Sequence, residues 1–205
     1  MANTNSPFGF RWHGLSGDAV SPSSGLIVVK SASTVGTFGE GDPVMRLNTG
    51  YCAALTRTTA ASYFVGIFKS CEYYSTSQAK KVYRNYYPTN DATGDVIVHI
   101  EPALGSVTPR FIVQSSGAGA ITLGNVGMNM DIAAGTSTAG TVTSGYYRSA
   151  CTIDTLANVT TTNTVPFRIV GLYSDIAAPG SPGADTASAY NWVIVEANNN
   201  LTTGI

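Results

Sequence analysis

Tyr63-Phe64-Val65-Gly66-Ile67-Phe68-Lys69-Ser70-Cys71-Glu72-Tyr73-Tyr74 is the stretch on which the fold turns. β-branched and aromatic side chains dominate it, and these fit a pleated, packed surface better than a helix. It is longer than an ordinary strand, and Gly66 interrupts it. A bulge or barrel corner at Gly66 bends such a strand from one sheet into another.

Working outward, the same residue chemistry recurs in short runs. Strands are expected at Leu26–Lys30, Val44–Leu47, Tyr51–Leu55, Val82–Tyr87, Val96–Glu101, Phe111–Gln114, Ile121–Leu123, Thr141–Thr143, Phe167–Tyr173 and Asn191–Ala197. Turn clusters separate them: Glu40-Gly41-Asp42-Pro43, Asn90-Asp91-Ala92-Thr93-Gly94 and Pro179-Gly180-Ser181-Pro182-Gly183. Many short strands with regular turn signals define an all-β chain, a sandwich or barrel of jelly-roll-like modules. Pro43, Pro109 and Pro166 fall where strand-like runs begin, and a missing backbone donor is tolerated there. The polar segment Pro88 to Gly94 divides the chain into a first β module, 15–90, and a second, 91–205. An alternative organisation returns strands 167–173 and 191–197 to the first module, with the middle as an insertion. Residues 1–14 read as an extended N-terminal arm carrying Phe8, Phe10 and Trp12.

Composition narrows the function. Of 205 residues 43% are apolar but only 11% charged, against roughly 25% in typical domains. Disordered chains pair low hydrophobicity with high net charge, whereas here the net charge is −1 and 10% of residues are aromatic. The 11 Lys and Arg are offset by 12 acids, and no basic residue follows Arg168, which argues against a nucleic-acid partner. The N-terminus lacks the basic and apolar regions of a secretory signal, and aliphatic runs such as Leu26-Ile27-Val28-Val29 are too short to span a membrane. Cys52, Cys71 and Cys151 are odd in number and widely spaced, as expected of buried, reduced thiols in a protein made in the cytoplasm.

A search for chemistry returns no catalytic, cofactor or metal motif, so the chain is expected not to be an enzyme. His13 and His99 are the only histidines, no serine sits in Gly-x-Ser-x-Gly, and no Cys-x-x-Cys or paired His is present. Gly117-Ala118-Gly119-Ala120-Ile121-Thr122-Leu123-Gly124 lacks the third glycine and following helix of a phosphate cradle. Asp91 and Asp95 are expected to form a turn rather than a calcium loop, whose closing Glu is absent. Glu72, Glu101, Asp131 and Asp154 are the acids available for a glycosidase pair, but nothing in the sequence selects two of them.

The surface is then the main clue. Thr, Ser, Asn, Ala and Gly lose little side-chain entropy on burial, whereas Lys, Arg or Glu lose up to about 2 kcal/mol each. A surface rich in them suits repeated protein–protein contacts. Aromatic residues and Arg dominate interface hot spots, which marks Phe8, Phe10, Arg11 and Trp12 as a candidate docking segment. The alternative is that the arm folds onto its own domain as an edge strand. Lys69, Lys80, Lys81 and Arg84 form a basic cluster on an expected hairpin, either as protection of an exposed edge or as a contact with acidic loops of a partner.

Eight stretches carry a resemblance. They are Pro7-Phe8-Gly9-Phe10-Arg11; Phe38-Gly39-Glu40-Gly41-Asp42-Pro43-Val44; Val65-Gly66-Ile67-Phe68-Lys69-Ser70-Cys71-Glu72-Tyr73; and Asp95-Val96-Ile97-Val98-His99-Ile100-Glu101-Pro102 with Phe111-Ile112-Val113-Gln114. Asn125-Val126-Gly127-Met128-Asn129-Met130-Asp131, Phe167-Arg168-Ile169-Val170-Gly171-Leu172-Tyr173 and Trp192-Val193-Ile194-Val195-Glu196-Ala197-Asn198 complete the order. In order and spacing the chain resembles the structural cement, or capsid decoration, proteins of tailed double-stranded DNA phages. It departs from them at Trp12, where the family has Pro, and at Glu101-Pro102, where the family has Asp-Asp-Pro. The resemblance implies an all-β homo-oligomer, a trimer or dimer, on the outer surface of the virion capsid after synthesis in the host cytoplasm. It implies the major capsid protein as partner, no cofactor and no catalysis. The rival expectation is a carbohydrate-binding head or tail appendage, with Trp12, Trp192 and the 11 tyrosines as stacking platforms.

Overall fold

The computed structural model describes residues 2–15, 25–30, 38–57, 63–88, 90–103, 108–117, 119–174 and 176–198. Among these the protein is nearly all β, with antiparallel sheets packed as a sandwich and no α-helix. The strands are β1 Arg11–Leu15, β2 Gly25–Lys30, β3 Pro43–Arg46, β4 Cys52–Ala54, β5 Phe64–Ser75, β6 Lys80–Arg84 and β7 Ala92–Pro102. They continue with β8 Pro109–Gln114, β9 Asn129–Met130, β10 Thr141–Thr143, β11 Tyr146–Arg148, β12 Phe167–Tyr173 and β13 Trp192–Ala197. One sheet runs β2-β7-β5-β3-β4, with β6 also on β5; the other runs β1-β8-β13-β12-β9; β10 and β11 form a separate hairpin.

β5 is the spine, and its near-continuous apolar run has a physical cause. A strand covered on both faces shows no polar alternation, and β5 lies between two cores. Phe64 and Ile67 enter the core they share with Phe10, Phe111, Phe167 and Val193. Val65 and Phe68 enter a second core with Phe38, Val44, Tyr87 and Val98. Phe64 and Ile67 have opposite parity along the strand, so they can share a face only if the pleat is reset between them. The β3–β5 register shifts there: Val44 pairs with Gly66 and Met45 with Phe64, which leaves Val65 as the extra residue. A Cβ on Gly66 would lie 2.3 Å from the Glu101 carbonyl oxygen of β7, so only glycine allows the approach. The expected bulge is present beside Gly66, and it resets the pleat so that Phe64 and Ile67 face one core while Val65 and Phe68 face the other.

Pro43 and Pro109 open β3 and β8, and Pro166 directly precedes β12. The segment Pro88 to Gly94 joins strands of a single sheet, because β7 pairs with β5 on one side and β2 on the other. The passage between sheets comes later, between Pro102 and Pro109. β12 and β13 sit in the second sheet beside β8 and β9 rather than returning to the first.

One local expectation is corrected, and for the N-terminal segment the edge-strand alternative is the one found. Ile121–Leu123 forms no strand. Ile121 is buried, but its backbone is satisfied by an amide side chain: its N–H donates to Asn191 Oδ1 (3.2 Å) and its carbonyl accepts from Asn191 Nδ2 (2.8 Å). The N-terminal arm is stitched to the body. Asn3 is buried and donates to the Asp185 carbonyl (2.6 Å), while the Gln114 side chain bonds both Ser6 N–H and the Thr4 carbonyl. Phe10 stacks on Phe167 at 4.7 Å, and Arg11–Leu15 is an edge strand on β8 with a bulge at His13.

Candidate functional site

The N-terminal segment, the turn before β3 and the β10–β11 hairpin converge at one end of the sandwich. Their meeting point is Asp42, which has no exposed surface. Its Oδ2 accepts the Gly39 N–H at 2.9 Å and the Tyr147 hydroxyl, and its Oδ1 accepts the Ser149 hydroxyl. Burial outweighs these bonds and raises its carboxyl to about 7. Gly9 crosses directly above: its φ is +75°, and a Cβ there would meet Ser149 Oγ at 2.5 Å and the Gly41 carbonyl at 2.6 Å.

Over this hub opens a cleft of about 650 Å³. Phe8, Arg11 and Trp12 form one wall, Tyr146 and Arg148 another, and the Lys69–Glu101 ion pair (3.0 Å) a third. Glu40 Oε2 accepts the Tyr146 hydroxyl at 3.0 Å and Asn85 Nδ2 at 3.3 Å. The bond to Glu40 raises the Tyr146 phenol, and the bond to Glu101 raises the Lys69 ammonium.

Two further hollows adjoin it. One, of about 260 Å³, shares Phe8, Arg11 and Arg148 with the cleft and is completed by the 177–182 loop and Trp192. The other, of about 540 Å³, shares Tyr146 and runs along Lys80, Lys81, Tyr83 and Arg84. β10–β11 thus stands at the centre of a band that holds most of the candidate interface. Tyr83 and Tyr146 are 67% and 60% exposed. Lys81 pairs with Glu72 at 2.7 Å, and Arg84 donates to the Tyr86 hydroxyl at 2.7 Å.

The sequence-nominated residues therefore divide. Phe8, Arg11 and Trp12 line the cleft; Lys80, Lys81 and Arg84 line the far hollow; Tyr146 lies between the two groups. Phe10 also borders the cleft but is 2% exposed, packed into the core. The hairpin expected around the basic cluster is present, with Cys71 opposite Arg84 and Ser75 opposite Lys80. Its turn is held by Asp91, whose carboxylate accepts Ser75 Oγ (2.8 Å) and Ser77 N (2.9 Å) and is lowered to about 2 by these bonds.

Asp42 and Arg148 went unselected as site residues, and Tyr146 and Trp192 were named only as stacking platforms of the carbohydrate-binding alternative. Asp42 sits in a Gly-Asp-Pro turn, where Asp ordinarily needs no further explanation. Of the four acids available for glycoside chemistry, Glu72, Glu101 and Asp154 are ion-paired, to Lys81, Lys69 and Arg57, and Asp131 accepts the Ile132 N–H at 2.7 Å. His99 is half-buried near Tyr83, and His13 lies edge-on to Tyr173. All three thiols are buried and free. Among the described residues no group of three or more His, Cys, Asp or Glu is arranged to hold a metal, and no helix is long and apolar enough to cross a membrane. No family model, curated protein or solved structure matches this chain.

Proposed function

We propose that the protein is a structural assembly module that binds other protein surfaces through the band around β10–β11. More particularly, we read it as a capsid cement protein that coats the assembled head of a tailed phage and bridges neighbouring capsomers as a homo-oligomer. One observation supports this most: Tyr83 and Tyr146 stand exposed beside Lys80, Lys81, Arg84, Arg148 and Arg11, on an otherwise sparsely charged molecule. Tyr and Arg are the residue types that carry binding energy at protein interfaces. An oligomer that engages several sites at once gains about 10²–10⁴ in avidity, so each contact can be weak.

The test is addition of purified protein to empty heads of the phage that encodes it. Stoichiometric binding is expected, with at least a tenfold loss for the Tyr83→Ala, Tyr146→Ala pair. Virions lacking the protein are expected to lose DNA at a lower temperature. Failure of the protein to bind heads refutes the reading. A glycan-binding reading draws support from the large cleft, where Phe8, Trp12 and Tyr146 lie near Glu40 and Glu101; saturable binding on a glycan array would favour it.

A further inference from the structure

The smaller hollow has a one-sided chemistry. Among the described residues Arg11 and Arg148 are the only charged ones that line it, and the serines Ser6 and Ser181 add hydroxyls. Neither arginine takes part in the four ion pairs found among the described residues. The Arg11 guanidinium lies over the Phe8 ring at 4.4 Å, and Arg148 donates to Ser6 Oγ at 3.0 Å. Each guanidinium carries five donors, and among the described residues these contacts engage few of them.

A second observation is independent of the arginines. The Trp192 indole N–H is buried and has no acceptor among the described residues. Buried donors are nearly always paired, and an orphan calls for a partner. The ring that carries it is fixed from three directions. Phe8 meets it edge-on at 4.8 Å, Tyr173 stacks at 5.9 Å, and Gly183 presses so close that a Cβ there would reach 2.3 Å from the ring. That last contact accounts for the Pro179-Gly180-Ser181-Pro182-Gly183 cluster, which closes the loop against the indole and brings Ser181 and Pro182 to the hollow.

We propose that this hollow is an oxyanion site that receives a carboxylate, the Asp or Glu side chain of a partner protein. Donors from two guanidinium groups meet an acceptor-only group, the pairing that Arg makes best. At about 260 Å³ the space falls below the roughly 300–1,000 Å³ usual for small-molecule pockets, and it suits the end of a side chain. The identity of the occupant rests on the assembly reading above; the oxyanion chemistry does not.

The experiment exploits the presence of only two tryptophans, Trp12 and Trp192. In a ¹⁵N-labelled sample the two indole N–H signals are assigned with Trp12→Phe and followed during titration with acetate, glutarate and inorganic phosphate. Glutarate is expected to move the Trp192 signal saturably in the millimolar range. The double variant Arg11→Gln, Arg148→Gln is expected to bind at least tenfold more weakly with an unchanged fold, and Arg148→Lys to restore part of the loss. A Trp192 signal that stays still, or moves equally in the double variant, overturns the site. Saturation by phosphate at lower concentration than by either carboxylate overturns the assigned occupant. Head binding is measured in parallel. Wild type and double variant binding heads equally, with a still indole, removes the oxyanion site and leaves decoration standing. A saturating indole shift without head binding keeps the site and removes decoration.

Discussion

Replacing Asp42 with asparagine is expected to make the protein more stable, with an advantage that grows as pH rises. The carboxyl is fully enclosed, and burial moves it from 3.8 in the open chain to about 7 in the folded one. The folded state therefore favours the neutral form. A group raised in this way contributes its stability in full below the open-chain value and loses it as pH rises through the folded value. At about 1.36 kcal/mol for each pH unit, the whole effect is on the order of 4 kcal/mol, and roughly 2–3 kcal/mol of it falls between pH 5 and 8. Asp91, at about 2, and Asp185, also lowered, finish titrating below that window.

The amide fits the same cage. Its oxygen can take the Gly39 N–H and the Tyr147 hydroxyl where Asp42 Oδ2 now does. Its nitrogen can donate to Ser149 Oγ, which already accepts the Cys151 N–H at 3.0 Å. Thermal unfolding of wild type and Asp42→Asn at half-unit steps from pH 5 to 8 is the assay. The gap is expected to widen by roughly 5–10 °C across the series, because 1 kcal/mol corresponds to about 2–4 °C in a chain of this size. A wild-type Tm that is flat over this range, or a variant that keeps the same slope, would refute the reasoning.

Phe10→Ala is expected to cost about 3–5 kcal/mol in urea unfolding, since it empties a site packed by Phe111 and Phe167; a cost under about 1 kcal/mol would detach the N-terminal segment from the core. The thiols are expected to stay inert to a chromogenic disulfide reagent at pH 8, because burial pushes Cys52 and Cys71 up to about 12 and Cys151 well above its ordinary value. All three are expected to react once the chain is unfolded in urea.

Sequence alone served best where a strand had enough length for its chemistry to show. Phe167–Tyr173 was legible to the residue, bounded by Pro166 and paired along its length with β13, even though Val170 bulges out of register. β9 has two residues, too few for a period of two to declare itself. β1 is longer, but its bulge at His13 breaks the alternation, so Arg11–Gly14 read as part of an arm. Ile121 looked like a strand because it is a core residue; the side-chain amide of Asn191 supplies the bonds a neighbouring strand would have made. The candidate site was half legible for a related reason. Residue type alone nominated the aromatic and basic residues, but that Phe10 turns inward while Phe8 and Arg11 line a hollow depends on the positive φ at Gly9.

The buried hub and the exposed band share one short strand. Tyr146 and Arg148 are exposed while Tyr147 and Ser149 are buried, the alternation that a pleat imposes along a strand and just beyond its end. Tyr147 and Ser149 donate to Asp42 from one face. The opposite face sets Tyr146 between the large cleft and the Lys80–Arg84 hollow, and Arg148 between the large cleft and the small one. Among the described residues β10 and β11 pair only with each other, so neither sheet holds the hairpin in place. Its position against the body is fixed instead by the bonds to Asp42, by Asn85, whose Oδ1 accepts the Tyr147 N–H at 3.2 Å, and by the Tyr146–Glu40 bond. A surface whose residues must meet a partner at set spacings gains from being anchored beneath, and Asp42 supplies that anchor from the turn leading into β3.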